Sequence, residues 1–294
     1  MTVPDQIQQP HRFNWKDAPD FAALSSQFDQ DGFLVIDDFY SADACAQLLA
    51  RRDELINDFD PEAHAVTFGA QSQSHAAHDY FLNSANNISF FLEEGAVSDA
   101  GTLLRDKHQA INKLGHAMHD LDPVFQAFAR APQLAELAPR LGLKDPQLLQ
   151  SMVICKPPEI GGEVGCHQDS TFLYTTPDSC IGFWVALEEA TLENGCMWAV
   201  AGGHKAPLRT RFVRDGNEMK MHTLDTTPMP EADTPLEAPV GTLVVLHGRL
   251  PHQSAANRSK ASRSAFTLHM VDGVATYADD NWLQRTHDFP TTGF

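Results

Sequence analysis

The stretch Gly161-Gly-Glu-Val-Gly-Cys-His-Gln-Asp169 carries a histidine and an aspartate two positions apart, His167 and Asp169. Side chains alternate along an extended strand, so these two side chains would point to the same face. One more imidazole from a distant part of the chain would complete a set of two histidines and one carboxylate. That set suits Fe(II) and leaves open positions on the metal. The stretch therefore predicts an iron site.

Two histidines compete for the third position in this set. The apolar run 243–246 leads first to His247 and then to His252. Gly248 indicates that His247 lies at a turn. The spacing from His247 to Arg263 also fits a metal ligand beside Arg263 less well than the spacing from His252, so we favour His252. Arg263 opens the next predicted strand, and its planar, permanently charged guanidinium can hold a carboxylate through two hydrogen bonds. A metal triad with a carboxylate anchor is what a 2-oxoglutarate-dependent oxygenase needs.

Composition limits the classes of partner. The chain of 294 residues has a formal net charge of −18, which disfavours nucleic acid and anionic membrane surfaces. The longest apolar runs are too short to span a membrane, and we expect no signal peptide. The five cysteines are odd in number and lack C-x-x-C spacing, which is typical of reduced thiols. We expect a cytoplasmic protein with a small-molecule substrate, and its oligomeric state stays open.

The order of elements predicts one domain. Residues 1–18 are expected to form a flexible arm, and residues 19–294 a domain with helices first and short strands from about residue 148. Apolar spacing predicts a helix over 107–119 that would place His116 and His119 on neighbouring turns. Two further segments, 60–79 and 205–239, are expected to be a loop and an insertion at the substrate entrance. The first contains His64, His75 and His78, which we expect to be solvated more readily than bound to metal.

Several blocks of sequence now point to one family. The stretch 161–169, Thr191-Leu-Glu-Asn-Gly-Cys196 and His252-Gln-Ser-Ala-Ala-Asn257, followed by Arg263, resemble the phytanoyl-CoA dioxygenase family. The similarity extends to blocks at 79–82, 111–117, 122–125 and 281–283. Within the family, the chain looks most like the phytanoyl-CoA dioxygenase domain-containing proteins and less like the peroxisomal phytanoyl-CoA hydroxylase.

This resemblance implies a mainly β fold, a double-stranded β-helix (jelly-roll, cupin-like) core with flanking N-terminal helices. It also implies Fe(II) on His167, Asp169 and His252, with 2-oxoglutarate and O₂ as co-substrates and ascorbate as a candidate reductant. The family's 2-oxoglutarate contacts correspond to Lys113, Met152, Trp184, Ser254 and Arg263. Read without the resemblance, Lys113 would be an ordinary exposed lysine, Met152 and Trp184 plain core residues, and Ser254 a turn residue.

The resemblance also bears on reaction type. Related halogenases have a small residue where Asp169 stands, so the carboxylate here favours hydroxylation. The chain departs from the family at Ala201-Gly-Gly-His204, where relatives often have Pro-Gly-Ser-His, and His204 could face the pocket or lie in a turn. The family name suggests an acyl-CoA or a related carboxylic metabolite as substrate, yet no cluster of Lys and Arg is evident for a CoA diphosphate.

Two other classes of function remain open at this point. One is a non-catalytic jelly-roll module that binds metal and a small acid. The other is a Zn²⁺-dependent hydrolase, which the absence of an H-E-x-x-H motif disfavours.

Overall fold

The computed structural model describes residues 7–61, 75–98, 102–216 and 218–294, without the side chains of residues 75–78. Much of the predicted loop 60–79, with His64 and the side chains of His75 and His78, lies outside these residues. The end of that segment is helical.

The α-helices in the described part of the chain pack mostly against one face of the larger sheet. They are α1 (Phe21–Asp31), α2 (Ala42–Asp58), α3 (His75–Asn83), α4 (Lys107–Ala110), α5 (Met118–Leu121), α6 (Pro123–Ala129) and α7 (Pro132–Leu137). The strands are β1 (Arg12–Asn14), β2 (Phe33–Asp37), β3 (Ile88–Leu92), β4 (Ile111–His116), β5 (Pro146–Ile154), β6 (Val164–His167), β7 (Thr175–Thr176), β8 (Ile181–Ala186), β9 (Met197–Ala199), β10 (Thr210–Asp215), β11 (Glu218–Thr223), β12 (Thr234–Leu236), β13 (Leu243–His247), β14 (His252–Ser254), β15 (Ala265–Asp272) and β16 (Thr276–Tyr277).

Two sheets build the core. The larger has eight strands in the order β1-β2-β13-β8-β15-β5-β4-β3, and the smaller has four in the order β12-β9-β14-β6. β10 pairs with β11, and β7 with β16, in separate two-stranded ribbons. Two facing sheets with helices on the outer face of the larger one agree with the predicted jelly-roll core.

Alternation along β8 shows how the sequence separates the two faces of the large sheet. Phe183 and Val185 lie in an apolar cluster shared with the helices, whereas Trp184 and Ala186 lie in the cluster between the two sheets. The period of two is that of a strand buried on both faces. The cluster between the sheets is where the functional side chains are found.

Local capping explains the helices predicted near the N-terminus. The Asp20 carboxylate accepts hydrogen bonds from the first turn of α1, and Gly32 ends that helix in the left-handed conformation at φ 79°. Ser41 caps α2 by accepting from the backbone N–H of Ala44 at 3.1 Å.

The predicted helix over 107–119 is wrong. α4 ends at Ala110, Ile111–His116 is β4, and a separate short helix, α5, follows. β4 pairs with β3 on one side and β5 on the other, so its backbone groups complete the ladder of the large sheet. The apolar spacing of Ile111 and Leu114 fits a helix as well as a strand, and tertiary pairing decides between them.

One other expectation needs correction, and a second gains detail. The predicted flexible arm 1–18 contains β1, which pairs in parallel with β2, so this part is an edge strand of the large sheet. The insertion 205–239 contains β10, β11 and β12, and β12 joins the smaller sheet beside β9. Residues 1–6 lie outside the described part of the chain.

Candidate metal centre

Three predicted side chains converge between the sheets. His167 is the last residue of β6, Asp169 follows in a single turn of 3₁₀ helix, and His252 begins β14. β14 pairs with β6 so that His252 lies directly opposite His167. One ligand atom from each of the three side chains lies within 4.8 Å of the others. The backbone pairing of two strands thus brings together residues separated by more than 80 positions.

Backbone carbonyls fix both imidazole rings. Nδ1 of His167 lies 2.8 Å from the carbonyl oxygen of Gly165, and Nδ1 of His252 lies 3.0 Å from that of Leu250. A carbonyl only accepts, so each Nδ1 carries the proton and each Nε2 presents a lone pair. The two Nε2 atoms lie 3.6 and 3.7 Å from Oδ1 of Asp169. Two nitrogen donors and one oxygen donor therefore face one small space.

Charge and burial shift the pKa of each of the three groups, and the shifts of His252 and Asp169 favour the forms that bind a cation. Burial, with the adjacent His167, lowers the pKa of His252 to about 4. Burial alone would raise the pKa of Asp169, but the neighbouring His269 and His252 hold it well below the usual value. For His167, the hydrogen bond and charge of Asp169 outweigh burial and raise the pKa above 6.5.

The middle residue of the motif has a supporting role. Gln168 points away from the triad and is only 1% exposed. Its Nε2 donates to the carbonyl of Arg249 at 2.7 Å, and its Oε1 accepts from the backbone N–H of Arg209 at 2.9 Å. These bonds tie the metal-binding turn to the segment before β10 and to the loop before His252.

Arg263 lies fully buried next to Trp184 of the apolar cluster between the two sheets. Its Nε and Nη2 donate to the carbonyl of Gly195 at 3.2 and 3.0 Å, and its guanidinium carbon lies 5.5 Å from the centre of the Trp184 ring. Nη1 is buried and has no hydrogen-bond partner among the described residues. Burial lowers the pKa of Arg263 to about 10, so the side chain remains charged at neutral pH. A buried donor of this kind needs an acceptor, and an anionic ligand would supply one.

The remaining predicted co-substrate contacts lie on neighbouring strands. Met152 and Trp184 flank Thr267 in register on either side of β15. Lys113 lies one strand further, on β4; burial lowers its pKa to about 7, and its charge acts on His167. Ser254 is buried on β14, two residues after His252. The predicted contacts therefore occupy both sheets around the triad.

The rival histidines lie elsewhere. His247 packs against Phe28 and His204, with ring centroids 5.9 and 5.0 Å away, and takes no part in the triad. His204 is thus a buried packing residue next to that turn. His116 and His119 are each hydrogen-bonded to a serine, Ser84 at 2.8 Å and Ser151 at 2.7 Å. All five cysteines are free thiols.

Sequence reasoning missed two buried polar residues at this site. His269, 8% exposed, lies on β15 with Nε2 3.3 Å from Oδ2 of Asp169. Lys156, 1% exposed, donates from Nζ to the carbonyls of Gly162 at 2.5 Å and Ala255 at 2.6 Å, close to Arg263. The sequence held a signal for His269. Side chains alternate along a strand, so positions 263, 265, 267 and 269 share one strand face, and His269 could have been predicted to lie on the face of Arg263.

Aromatic side chains border the triad on the side of the insertion. The Phe172 ring lies 6.1 Å from the His167 ring, and Phe212 of β10 lies 5.7 Å from Phe172. The segment 205–239 therefore approaches the triad through Phe212, which contacts Phe172.

The chain is similar in sequence to one known protein family over most of its length. A family model described as Phytanoyl-CoA dioxygenase (PhyH) matches residues 28–265. The chain belongs to the phytanoyl-CoA dioxygenase family. This membership confirms the predicted family and the predicted enzyme class, a 2-oxoglutarate-dependent dioxygenase.

Several members of the phytanoyl-CoA dioxygenase family match along almost their whole length. Phytanoyl-CoA dioxygenase of Arabidopsis thaliana is 44% identical over 259 residues, which cover 88% of this chain and 91% of the relative. Phytanoyl-CoA dioxygenase domain-containing protein 1 of Bos taurus is 40% identical over 275 residues, which cover 90% and 94%.

Solved structures share the fold at lower identity. The epimerase SnoN, in complex with Fe³⁺, alpha ketoglutarate and nogalamycin RO, matches with a TM-score of 0.61 at 20% identity, covering 87% of this chain and 85% of its own. EctD from S. alaskensis, with 2-oxoglutarate and 5-hydroxyectoine, matches with a TM-score of 0.57 at 20% identity, covering 85% and 76%. These similarities confirm the predicted jelly-roll fold.

Proposed function

We propose that His167, Asp169 and His252 hold Fe(II), that 2-oxoglutarate binds beside the metal, and that the protein hydroxylates a small organic substrate with release of succinate and CO₂. Residues 19–294 would form a single catalytic domain. The observation that carries this proposal is the convergence of two Nε2 lone pairs and Oδ1 of Asp169 within 4.8 Å.

The side chains fit the metal in donor type as well as in position. Two imidazoles and one carboxylate are the facial set used by non-haem Fe(II) oxygenases, and a carboxylate at Asp169 leaves no room in that set for a halide. The carbonyls of Gly165 and Leu250 fix the two rings from behind, which orients the ligands before the metal arrives.

The chain also fits the co-substrate. Arg263 is charged and buried, and its Nη1 has no hydrogen-bond partner among the residues that the structure describes, so it would take the distal carboxylate of 2-oxoglutarate. The centre of the Trp184 ring lies 5.5 Å from the guanidinium carbon, and the carbonyl of Gly195 accepts from Nε and Nη2, so both contacts restrain the guanidinium. Ser254 would add a hydroxyl donor to the same carboxylate, and Lys113 and Met152 would line the rest of the co-substrate pocket.

Each protein group has a limited task in this reaction. Bound iron supplies the reaction with O₂ that the side chains cannot perform. His252 and Asp169 are buried, which keeps bulk water from the ligand atoms. We infer that the prime substrate enters beside Phe172 and Phe212, and an acyl-CoA or related carboxylic metabolite is the first class to screen. A cytoplasmic location fits the free thiols.

The test is succinate release with Fe(II), ascorbate, O₂ and 2-oxoglutarate, across a panel of candidate substrates. Asp169→Ala should lose iron binding and turnover, and Arg263→Ala should raise the 2-oxoglutarate requirement sharply. Asp38→Ala is the control, because Asp38 pairs with Lys16 on the surface. Unchanged succinate release in both site variants would refute the assignment.

The same experiment separates the alternative function. If the wild-type protein bound metal and 2-oxoglutarate but released no succinate with any substrate, the non-catalytic binding module would be the better description.

A further inference from the structure

Asp169 has a third histidine neighbour in addition to the two triad histidines. His269 reaches it from the central strand β15, with Nε2 3.3 Å from Oδ2 of Asp169. We propose that His269 is a positioning residue that holds Oδ2 back, so that Asp169 offers only Oδ1 to the metal. This inference rests on the proposed iron site and adds a fourth side chain to it.

The two carboxylate oxygens of Asp169 have separate surroundings. Oδ1 lies 3.6 Å from Nε2 of His167 and 3.7 Å from Nε2 of His252. Oδ2 is buried, faces His269, and has no well-aligned hydrogen bond within the described part of the chain. One oxygen therefore faces the ligand nitrogens of the triad and the other faces a third imidazole.

His269 can act only as a donor toward this oxygen. A carboxylate oxygen accepts, so the ring proton belongs on Nε2. The other nitrogen, Nδ1, is buried and meets no hydrogen-bond partner among the residues that the structure describes. The ring thus makes its polar contact with Asp169 and with no other described side chain, which is unusual for a histidine that is 8% exposed.

The sheet leaves a space for this contact. His269 lies opposite Gly182 of β8, and a Cβ atom at Gly182 would be 2.9 Å from Oδ2 of Asp169 and 3.5 Å from the His269 ring. A methyl group there would press on both partners. Because β15 is hydrogen-bonded on both sides, by β8 and β5, the backbone that carries His269 is fixed.

The number of coordination positions on the metal explains why the contact between His269 and Asp169 would matter. An octahedral ion held by three protein atoms keeps three positions, which 2-oxoglutarate (two) and O₂ (one) would need. A carboxylate that bound through both oxygens would take one of these positions. An N–H group that lies 3.3 Å from Oδ2 and donates to it would favour binding through Oδ1 alone. Outer partners of this kind typically change metal affinity about 10- to 100-fold.

The experiment is Co(II) titration of the full-length protein, followed by visible absorption, which reports the coordination number without turnover. His269→Asn removes the donor from the Nε2 position, whereas His269→Gln can return an N–H to nearly the same place. We expect His269→Asn to weaken Co(II) binding about tenfold or more and to change its spectrum. His269→Gln should restore both toward the wild type.

A matched control is His119→Asn. His119 is also a buried histidine beside an aspartate, with Nε2 3.1 Å from Oδ2 of Asp120, and it is not part of the triad. It should lower the urea midpoint without changing Co(II) affinity or spectrum. If His269→Asn fails to fold, the comparison of His269→Gln with wild type still tests the donor.

The outcomes are separable. Wild-type affinity and spectrum in His269→Asn, or equal loss of Co(II) binding in His119→Asn, would overturn the role of His269. Failure of the wild-type protein to bind Co(II) at His167, Asp169 and His252 would instead overturn the proposed iron site itself.

Discussion

His167 and His252 face each other across β6 and β14, and their ring centroids are 4.3 Å apart. Two protonated imidazoles at this distance would repel each other in a buried site. Asp169 favours the proton on His167, while burial lowers the pKa of His252 to about 4. The pair therefore titrates one ring at a time, and His167, the less buried of the two, takes the first proton.

This order predicts the pH dependence of metal binding. A metal ion needs both rings neutral, so protons compete through His167 as the pH falls below its pKa, which lies above 6.5. His252 and Asp169 stay deprotonated until far lower pH. We expect Co(II) affinity to fall about tenfold per pH unit between about pH 6.5 and 5, and to level off at higher pH. Titrations at several pH values measure the slope; a hundredfold loss per unit would mean that both rings compete together.

Arg263 yields a prediction about the co-substrate. Arg263→Ala removes the buried guanidinium, and Arg263→Lys keeps a charge but cannot both donate to Gly195 and reach a ligand. The loss of a charge-assisted hydrogen bond, about 1.5–3 kcal/mol, corresponds to a rise of roughly 10- to 150-fold in the KM for 2-oxoglutarate in either variant.

Steady-state kinetics against 2-oxoglutarate provide the measurement for Arg263. Arg130→Lys is the matched control, because Arg130 bonds to Asp120 and Gly293 on the helical side of the molecule. A KM for Arg263→Lys that equals the wild-type value would contradict the anchoring role.

The triad shows what the sequence can reveal. His167 and Asp169 share a short motif, and their common face follows from strand periodicity alone. His252 needed an argument about turns and spacing, since His247 also ends a strand next to a glycine. The structure separates the two histidines because β14 pairs with β6 at His252, whereas His247 packs on Phe28.

Other features depend on tertiary contacts that no local pattern carries. Residues 111–116 have apolar spacing compatible with a helix, and only their pairing with β3 and β5 makes them a strand. The face of His269 follows from its distance along the strand from Arg263. The contact of His269 with Asp169 could not be predicted from the sequence, because this contact depends on how the 3₁₀ turn after β6 lies over β8 and β15.

Gln168 provides a test of how the metal-binding turn is supported. Gln168→Ala removes a donor to the part-buried carbonyl of Arg249 and an acceptor for the buried N–H of Arg209. At about 1–3 kcal/mol for each buried group left unsatisfied, the free energy of unfolding should fall by roughly 2 kcal/mol or more. Urea titration measures this loss, and Gln147→Ala, at a partly exposed side chain of β5, should change it by less than about 0.5 kcal/mol. Equal midpoints for the two variants would argue against the supporting role.

A substitution at Gly182 tests whether Asp169 and His269 need the space that this glycine leaves beside them. In Gly182→Ala the new Cβ would lie 2.9 Å from Oδ2 of Asp169, so the carboxylate must move, and overpacking of this kind costs about 1–3 kcal/mol. We expect Co(II) affinity to fall about tenfold, because Oδ1 of the displaced Asp169 would no longer face the same metal position as Nε2 of His167 and Nε2 of His252. The urea midpoint of the metal-free variant, measured in parallel, separates this loss from general destabilisation. A lowered midpoint with wild-type Co(II) affinity would show that Asp169 has freedom to adjust and that the glycine serves packing alone.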